Sequence, residues 1–418
     1  MRPWFLQRSV LSWAFYDWAN SAFATTVLAG FFPLFFKEYW AADLEVADST
    51  FWLGSANSFA SLLMVLTAPV LGALADANGQ LKRYLAFFAL LGICSTATFF
   101  WMPSGAWTWA LVLFVMGIVG FAAANLYYDA LLPKVAHDGL LDRVSALGFG
   151  MGYLGGGLLF TLNIAMVTWP GLFGLTDMTA AVRWSFLSVA LWWLVFSIPL
   201  LRWVRVPVLP HHARPLGQSL SAGVARVVRT VREVRQHRNV GIFLVAYWLY
   251  IDGVDTVVRM AVDYGLSIGL GAQHLMVALL VTQLVGFPSA LVFGELGGRI
   301  GPRRGIFIGL GVYLAITLWA YRMQSVWEFY VLAVSVGLVQ GGVQALSRSL
   351  YVRLIPRERA GEFFGFYNMM GKFAAVIGPF MVGLVAAVTR DNRLSILSVS
   401  LLFLLGGLFL WRVREPEN

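Results

Sequence analysis

The chain has 418 residues, of which 59% are hydrophobic and 12% charged, and its formal net charge is +9. A soluble domain has about 25% charged residues, so a soluble protein of this length could not cover so much apolar surface. Since a membrane-spanning helix needs about 20 residues, twelve spans use roughly 250 residues and leave the rest for loops. The composition therefore predicts an all-α integral membrane protein with twelve transmembrane helices.

Apolar runs separated by polar segments predict the spans in chain order. In the first half they are 11–35, 51–74, 83–102, 107–132, 144–168 and 182–203; in the second half they are 240–262, 273–297, 304–322, 328–353, 363–388 and 394–412. An acidic outer loop is predicted from Lys37 to Asp48. The spans predict an N-terminal six-helix bundle (1–203), a linker (204–239) and a C-terminal six-helix bundle (240–418).

The basic residues are distributed unevenly between the two sides of these spans. With alternating spans, 22 Lys and Arg residues fall on the side of the N-terminus and six on the opposite side. This bias follows the positive-inside rule and predicts that both termini are cytoplasmic, in the plasma (bacterial inner) membrane. Because the positive charge follows topology, nucleic-acid binding is not expected.

Sequence signals for catalysis and for cofactors are missing. The chain has a single cysteine, Cys94, and no His, Cys, Asp and Glu spacing typical of a metal site. It also lacks a phosphate-binding Gly-Lys-Ser/Thr loop, which argues against an ATP-driven pump. We expect a monomer in the lipid bilayer that is not an enzyme and needs no cofactor.

A glycine-rich stretch with a basic end occurs twice, 222 residues apart. This repeat resembles the signature loop of the major facilitator superfamily, which implies a gate on the cytoplasmic side. The second copy has Gly298 where the first has its aspartate, and Glu295 is close but out of register. The predicted gating residues are Gly72, Asp76, Gly79 and Arg83 in the first copy and Gly294, Gly301 and Arg303 in the second.

The linker between the halves contains a basic amphipathic segment. Apolar residues at helical spacing over 220–234 alternate with arginines. Such a helix suits the anionic inner leaflet or a brace between the bundles. We expect it to act mainly as a tether.

The seventh span carries three charged residues on one face, Asp252, Asp255 and Arg259. Charged groups inside a membrane are costly and are therefore functional candidates. Arg259 is one turn from Asp255 and should pair with it. Asp252 then has less direct compensation, so we predict it as the proton carrier; a purely structural ion pair is the alternative.

The tenth and eleventh spans carry polar faces that extend this candidate site. Gln340, Gln344 and Arg348 recur at spacings of four, and Asn368 and Lys372 do likewise. A cation and an acid near the midplane on different helices could hold the two ends of a zwitterion. They could also neutralise each other in the empty protein.

Two further acids lie nearer the cytoplasmic ends of their spans. Asp17 shares one helix face with Asn20, and Asp129 lies one turn after Asn125. Asn20 is predicted to contact substrate. Asp17 and Asp129 are predicted to serve proton coupling, by gating or by proton exit.

Two longer segments resemble a particular branch of the superfamily. The first runs from Tyr16 to Thr26 and continues to Phe31-Phe32-Pro33; the second runs from Gly342 to Ser349 and leads to Glu362-Phe363-Phe364-Gly365-Phe366-Tyr367. Both are similar to the vacuole-effluxer, or "unknown major facilitator", branch. In fungal relatives the resemblance implies export of amino acids from the vacuole. Its polar positions match Asp17, Asn20, Gln344 and Arg348.

Together these features predict a secondary active transporter with two bundles that alternately expose a central site. The expected cargo is a small polar metabolite, an amino acid or related zwitterion or anion, moved with protons. Two alternatives stay open: an amphiphilic cargo such as a lipid or siderophore, and a non-transporting sensor or assembly factor on the same scaffold.

Overall fold

The computed structural model of the chain describes residues 3–206, 238–267, 271–323, 325–374, 377–390 and 392–415. Within these residues twelve helices are long and apolar enough to cross a membrane, which confirms the predicted fold class. The predicted amphipathic segment at 220–234 lies outside the described residues.

The helices follow the predicted spans closely. The N-terminal bundle contains α1 (Arg8–Trp40), α2 (Val46–Asn78), α3 (Leu81–Trp101), α4 (Trp107–Val135), α5 (Asp138–Thr168) and α6 (Met178–Trp203). The C-terminal bundle contains α7 (Arg238–Val258), α8 (His274–Ile300), α9 (Pro302–Arg322), α10 (Val326–Leu354), α11 (Arg357–Val385) and α12 (Leu394–Trp411). Helical backbone continues beyond the apolar part of α7 as far as Ser267.

The prediction for the first outer loop was partly wrong. Helix α1 continues to Trp40, so Lys37 and Glu38 are helical and the loop is short. Part of α1, Phe23–Phe31 and Phe36–Trp40, is wound as a π-helix around the turn that contains Pro33. Proline lacks a backbone N–H, so Pro33 cannot make the helical hydrogen bond to the carbonyl four residues earlier.

Local sequence signals determine several helix ends. Gly79 ends α2 in the left-handed conformation, with φ 62°, which glycine adopts without strain. Asp177 caps α6 by accepting the backbone N–H of Ala180 at 2.7 Å. Ser325 and Glu328 form a capping box at the start of α10.

Helix α11 consists of two helical segments. The first is Ala360–Phe373 and the second Ile377–Thr389. The first packs against α2 and α4 of the other bundle, and the second against α7 of its own.

The bundles contact each other through symmetry-related helix pairs. Helix α2 packs on α11, and its repeat counterpart α8 packs on α5, which also contacts α10. Large apolar side chains such as Phe51, Trp109 and Val292 are more than 60% exposed on the outer surface. Together with twelve helices of spanning length, an exposed apolar surface of this kind favours contact with lipid.

Candidate functional site

The first copy of the signature loop binds the start of α11. The Asp76 carboxylate accepts the backbone N–H groups of Gly361 at 3.1 Å and Glu362 at 2.8 Å. A carboxylate at a helix N-terminus satisfies unpaired amides and is stabilised by the helix dipole. A Cβ at Gly72 would overlap the Gly361 carbonyl, so α2 and α11 are in backbone contact here.

The second copy uses a different acid for a related contact. Glu295 pairs with Arg143 at the start of α5, at 2.8 Å, and with Arg299 in its own helix at 2.9 Å. A Cβ at Gly298, the counterpart of Asp76, would lie 3.6 Å from the Arg143 Nε atom. An acid one turn earlier than expected therefore meets a side chain instead of a helix end.

The basic ends of the two copies lie away from the bundle interface. Arg83 is exposed. Gly301 has φ 91°, and Arg303 donates its backbone N–H to Glu415 at 2.8 Å and its guanidinium to the Val413 carbonyl at 2.5 Å. The second basic end therefore binds the C-terminal segment of its own bundle.

A buried ion pair that we did not predict joins α5 to α10. Asp142, 2% exposed, accepts from Arg353 at 2.6 Å and from the Ser349 hydroxyl at 2.5 Å. In the sequence, Asp142 resembles an ordinary acid in a first helical turn. The sequence contained one weak signal for this contact: Ser349 and Arg353 are four residues apart and therefore lie on the same face of α10.

Arg348 extends from α10 into the N-terminal bundle. Its Nη1 atom lies 2.9 Å from the Asp129 carboxylate, Nε donates to the Ser145 hydroxyl at 3.0 Å and Nη2 to the Ser145 carbonyl at 2.8 Å. Asn368 of α11 donates to the other Asp129 oxygen at 3.5 Å. One hydrogen-bonded group therefore joins the two bundles. It contains the predicted residues Arg348, Asp129 and Asn368 and, in addition, Ser145.

Asp17 and Asn20 border this group on α1. Asp17 accepts from the Tyr128 hydroxyl at 3.4 Å and from the Ser21 hydroxyl at 3.5 Å. Asn20 is buried and hydrogen-bonded through its amide to the Asn125 amide oxygen. Asp17 of α1 is thus hydrogen-bonded to Tyr128 of α4, and the next residue, Asp129, pairs with Arg348.

Asp252 binds the second segment of α11. It is 1% exposed, and its two oxygens lie 3.0 and 3.1 Å from the backbone nitrogen of Gly378. Thr256 donates to the same carboxylate at 3.4 Å. A Cβ at Gly378 would overlap the Thr256 hydroxyl, so only glycine lets the helix approach this closely.

The other predicted site residues occupy more varied positions. Asp255, Gln344 and Lys372 are half-buried, and the side chain of Arg259 lies outside the described part of the structure. Gln340 lines a mainly apolar cavity of about 180 Å³ inside the C-terminal bundle. The structure therefore assembles two separate polar groups, one around Arg348 and one around Asp252.

This arrangement can link charge to movement of the bundles. Arg348 and its acceptors Asp129 and Ser145 belong to different bundles, so separating the bundles breaks their bonds. The part of the structure that is described contains no cluster of three or more His, Cys, Asp or Glu side chains suited to a metal ion.

Comparisons with known proteins agree with this architecture. The family model described as "Vacuole effluxer Atg22 like" matches residues 39–417. The "Uncharacterized MFS-type transporter YxiO" of Bacillus subtilis (strain 168) is 35% identical over 414 residues, which are 97% of this chain and 95% of that protein. Autophagy-related protein 22 of Yarrowia lipolytica is 28% identical over 63% of this chain and 49% of its own length, so the chain matches about half of that relative.

A solved structure also shares the fold. The human organic anion transporter MFSD10 (TETRAN) superposes with a TM-score of 0.70 at 15% identity, over 96% of this chain and 99% of that one. At this identity the likeness concerns the fold alone. With the family model matching most of the sequence, the chain belongs to the Atg22-like vacuole effluxer family, a branch of the major facilitator superfamily of membrane transporters.

Proposed function

We propose that this chain is a proton-coupled secondary transporter of a small polar metabolite, an amino acid or a related zwitterion or anion, in the plasma membrane. The observation that supports this most is the meeting of charges from both bundles, Arg348 from α10 and Asp129 from α4, at 2.9 Å. Burying ions inside a membrane protein is costly, and such groups usually serve transport.

The places where the two bundles are joined support alternating access. Asp76, Glu295 and Asp142 all make their inter-bundle contacts near the helix ends on the side of the termini. The described conformation is therefore the state closed on that side. Rocking of the bundles about the centre would break these contacts and expose the site to the cytoplasm.

Asp252 is the proposed proton carrier. Its carboxylate is buried against the amide of Gly378, and Asp255 lies one turn away on the same helix. Loss or gain of a proton there changes a contact between α7 and the second segment of α11. Asp17 and Asp129 are the proposed further residues in proton transfer. Asp17 accepts a hydrogen bond from the Tyr128 hydroxyl, and Asp129 pairs with Arg348.

Flux in proteoliposomes tests the proposal. Purified protein is reconstituted and loaded in turn with neutral, acidic and basic amino acids, with and without an imposed pH gradient. We expect gradient-driven flux of one class, which Asp252→Asn abolishes while exchange of the same cargo continues. Asp43→Asn, which neutralises an exposed carboxylate in the outer loop, is the matched control. Equal loss of flux and exchange would contradict the proton role, and no flux for any cargo would favour a sensor or assembly factor.

One observation favours an amphiphilic cargo as a second candidate. The cavity in the C-terminal bundle is lined mainly by apolar side chains, with Thr282, Gln283, Thr317 and Gln340 as polar exceptions. A ligand with one apolar part would suit such a cavity. Flux of a labelled lipid or hydrophobic chelate in the same vesicles, with no flux of amino acids, would select this candidate.

A further inference from the structure

The guanidinium of Arg348 lies among three aromatic rings of the other bundle. Its central carbon is 4.3 Å from the ring centre of Phe149, 4.9 Å from that of Trp13 and 5.4 Å from that of Tyr128. Ring faces within about 6 Å attract a cation through their quadrupoles. The same residue is 2% exposed, and its guanidinium donates to Asp129 and Ser145.

The N-terminal bundle builds this pocket by itself. Trp13 stacks on Tyr128 with ring centres 4.4 Å apart, and its Nε1 donates to the Tyr128 carbonyl at 3.0 Å. Gly148 leaves the space: a Cβ there would lie 3.1 Å from Nη2 of Arg348 and 2.7 Å from the Tyr128 hydroxyl. The walls are therefore held together independently of the residue that occupies the pocket.

We propose that this aromatic–acidic pocket, formed by Trp13, Tyr128, Asp129, Ser145 and Phe149, is a binding site for an organic cation, the ammonium or guanidinium group of the cargo. Arg348 occupies it as an internal substitute while the termini side is closed.

Movement of the bundles would let a cationic group of the cargo replace the Arg348 guanidinium. This step rests on the alternating access of the proposed function. Arg348 belongs to α10 and leaves with the C-terminal bundle when the termini side opens. Asp129 then faces three rings and a carbonyl without the guanidinium. The ring faces and the carboxylate all attract positive charge, so a cationic group from the cargo would be favoured in the place of the guanidinium.

Chemical substitution tests the pocket without any transport. In Arg348→Ala the guanidinium is removed and the pocket is vacant in every conformation. We titrate the detergent-purified protein with methylguanidinium and methylammonium and follow the thermal unfolding midpoint, which a ligand of the folded state raises. Methylurea, similar in shape but uncharged, is the control ligand. We expect the two cations to raise the midpoint of Arg348→Ala by several degrees and methylurea to leave it unchanged.

Two further variants make the result specific. Adding Asp129→Asn to Arg348→Ala should weaken cation binding at least tenfold, because the carboxylate is lost while its shape is kept. Asp142→Asn, which retains Arg348 but weakens closure, should bind the same cations more tightly than the wild type, and it provides a test if Arg348→Ala does not fold. The proposal would be overturned if the cations shifted the unfolding midpoint equally in the wild type, Arg348→Ala and Asp142→Asn. It would also be overturned if methylurea shifted the midpoint as much as the cations do. Cation binding without flux would support the pocket and contradict the transport function. Flux without cation binding would support the transport function and contradict the pocket.

Discussion

The two copies of the signature loop lie in equivalent positions but close the protein with different chemistry. In the first, Asp76 binds two backbone amides at the start of α11. In the second, Glu295 pairs with the Arg143 side chain, and both partners are substantially exposed, at 42% and 32%. Close packing of small residues is common to both copies, since a Cβ at Gly72 or Gly294 would overlap the facing helix.

This comparison shows which part of the repeat is constrained. Both copies place a glycine where the helices approach each other, whereas the acid that contacts the other bundle lies one turn earlier in the second copy. The second interface compensates with the buried pair Asp142–Arg353 nearby. The more deeply an acid is buried, the more its neutralisation should favour the open state. We therefore expect the largest effect for Asp142, a smaller one for Asp76 and the smallest for Glu295.

Neutralising Asp142 should have the largest effect. Removing one member of a buried ion pair costs about 3–5 kcal/mol, so Asp142→Asn should raise the ratio of open to closed protein on the termini side by roughly 10²-fold to several 10³-fold. The measurement is the distance distribution between spin labels at His137→Cys and Arg304→Cys, with the single native cysteine replaced by Cys94→Ser. An unchanged distribution would show that this pair does not hold the closed state.

Neutralising Asp76 should have an intermediate effect. The substitution Asp76→Asn keeps one oxygen acceptor for the amides of Gly361 and Glu362 but removes the charge at the helix end, which we expect to cost about 1–2 kcal/mol. The same label pair should report a shift of about tenfold. Asp43→Asn serves as the charge-matched control; a shift of equal size in that control would assign the effect to net charge instead of the contact.

Neutralising Glu295 should have the smallest effect. Because Glu295 and Arg143 are exposed, their attraction is weakened by water and by salt. Glu295→Gln should change the open fraction by about twofold or less, and raising the salt from about 0.1 to about 1 M should remove the difference from wild type. A larger, salt-independent shift would mean that the second copy closes the protein as firmly as the first, and the ranking by exposure would be wrong.

The fold could be predicted from the sequence almost completely. The number and length of the spans and the repeat of 222 residues depend on composition and spacing alone, because a helix must be long and apolar enough to cross the bilayer. The main departure concerned α1, where helical backbone includes Lys37 and Glu38. A polar pair at a membrane surface is compatible with either a helix end or a loop, so local pattern could not decide between them.

The partners of the charged residues were decided by tertiary structure alone. The sequence identified Asp17, Asp129, Asp252 and Arg348 as costly charges inside spans, because burial of charge is visible in an apolar run. It carried no information on which helix faces which across the bundle interface, since long-range contacts depend on packing angles and on glycines such as Gly148. For that reason the pairing of Arg348 with Asp129, and of Asp252 with the Gly378 amide, appeared only when the twelve helices were assembled.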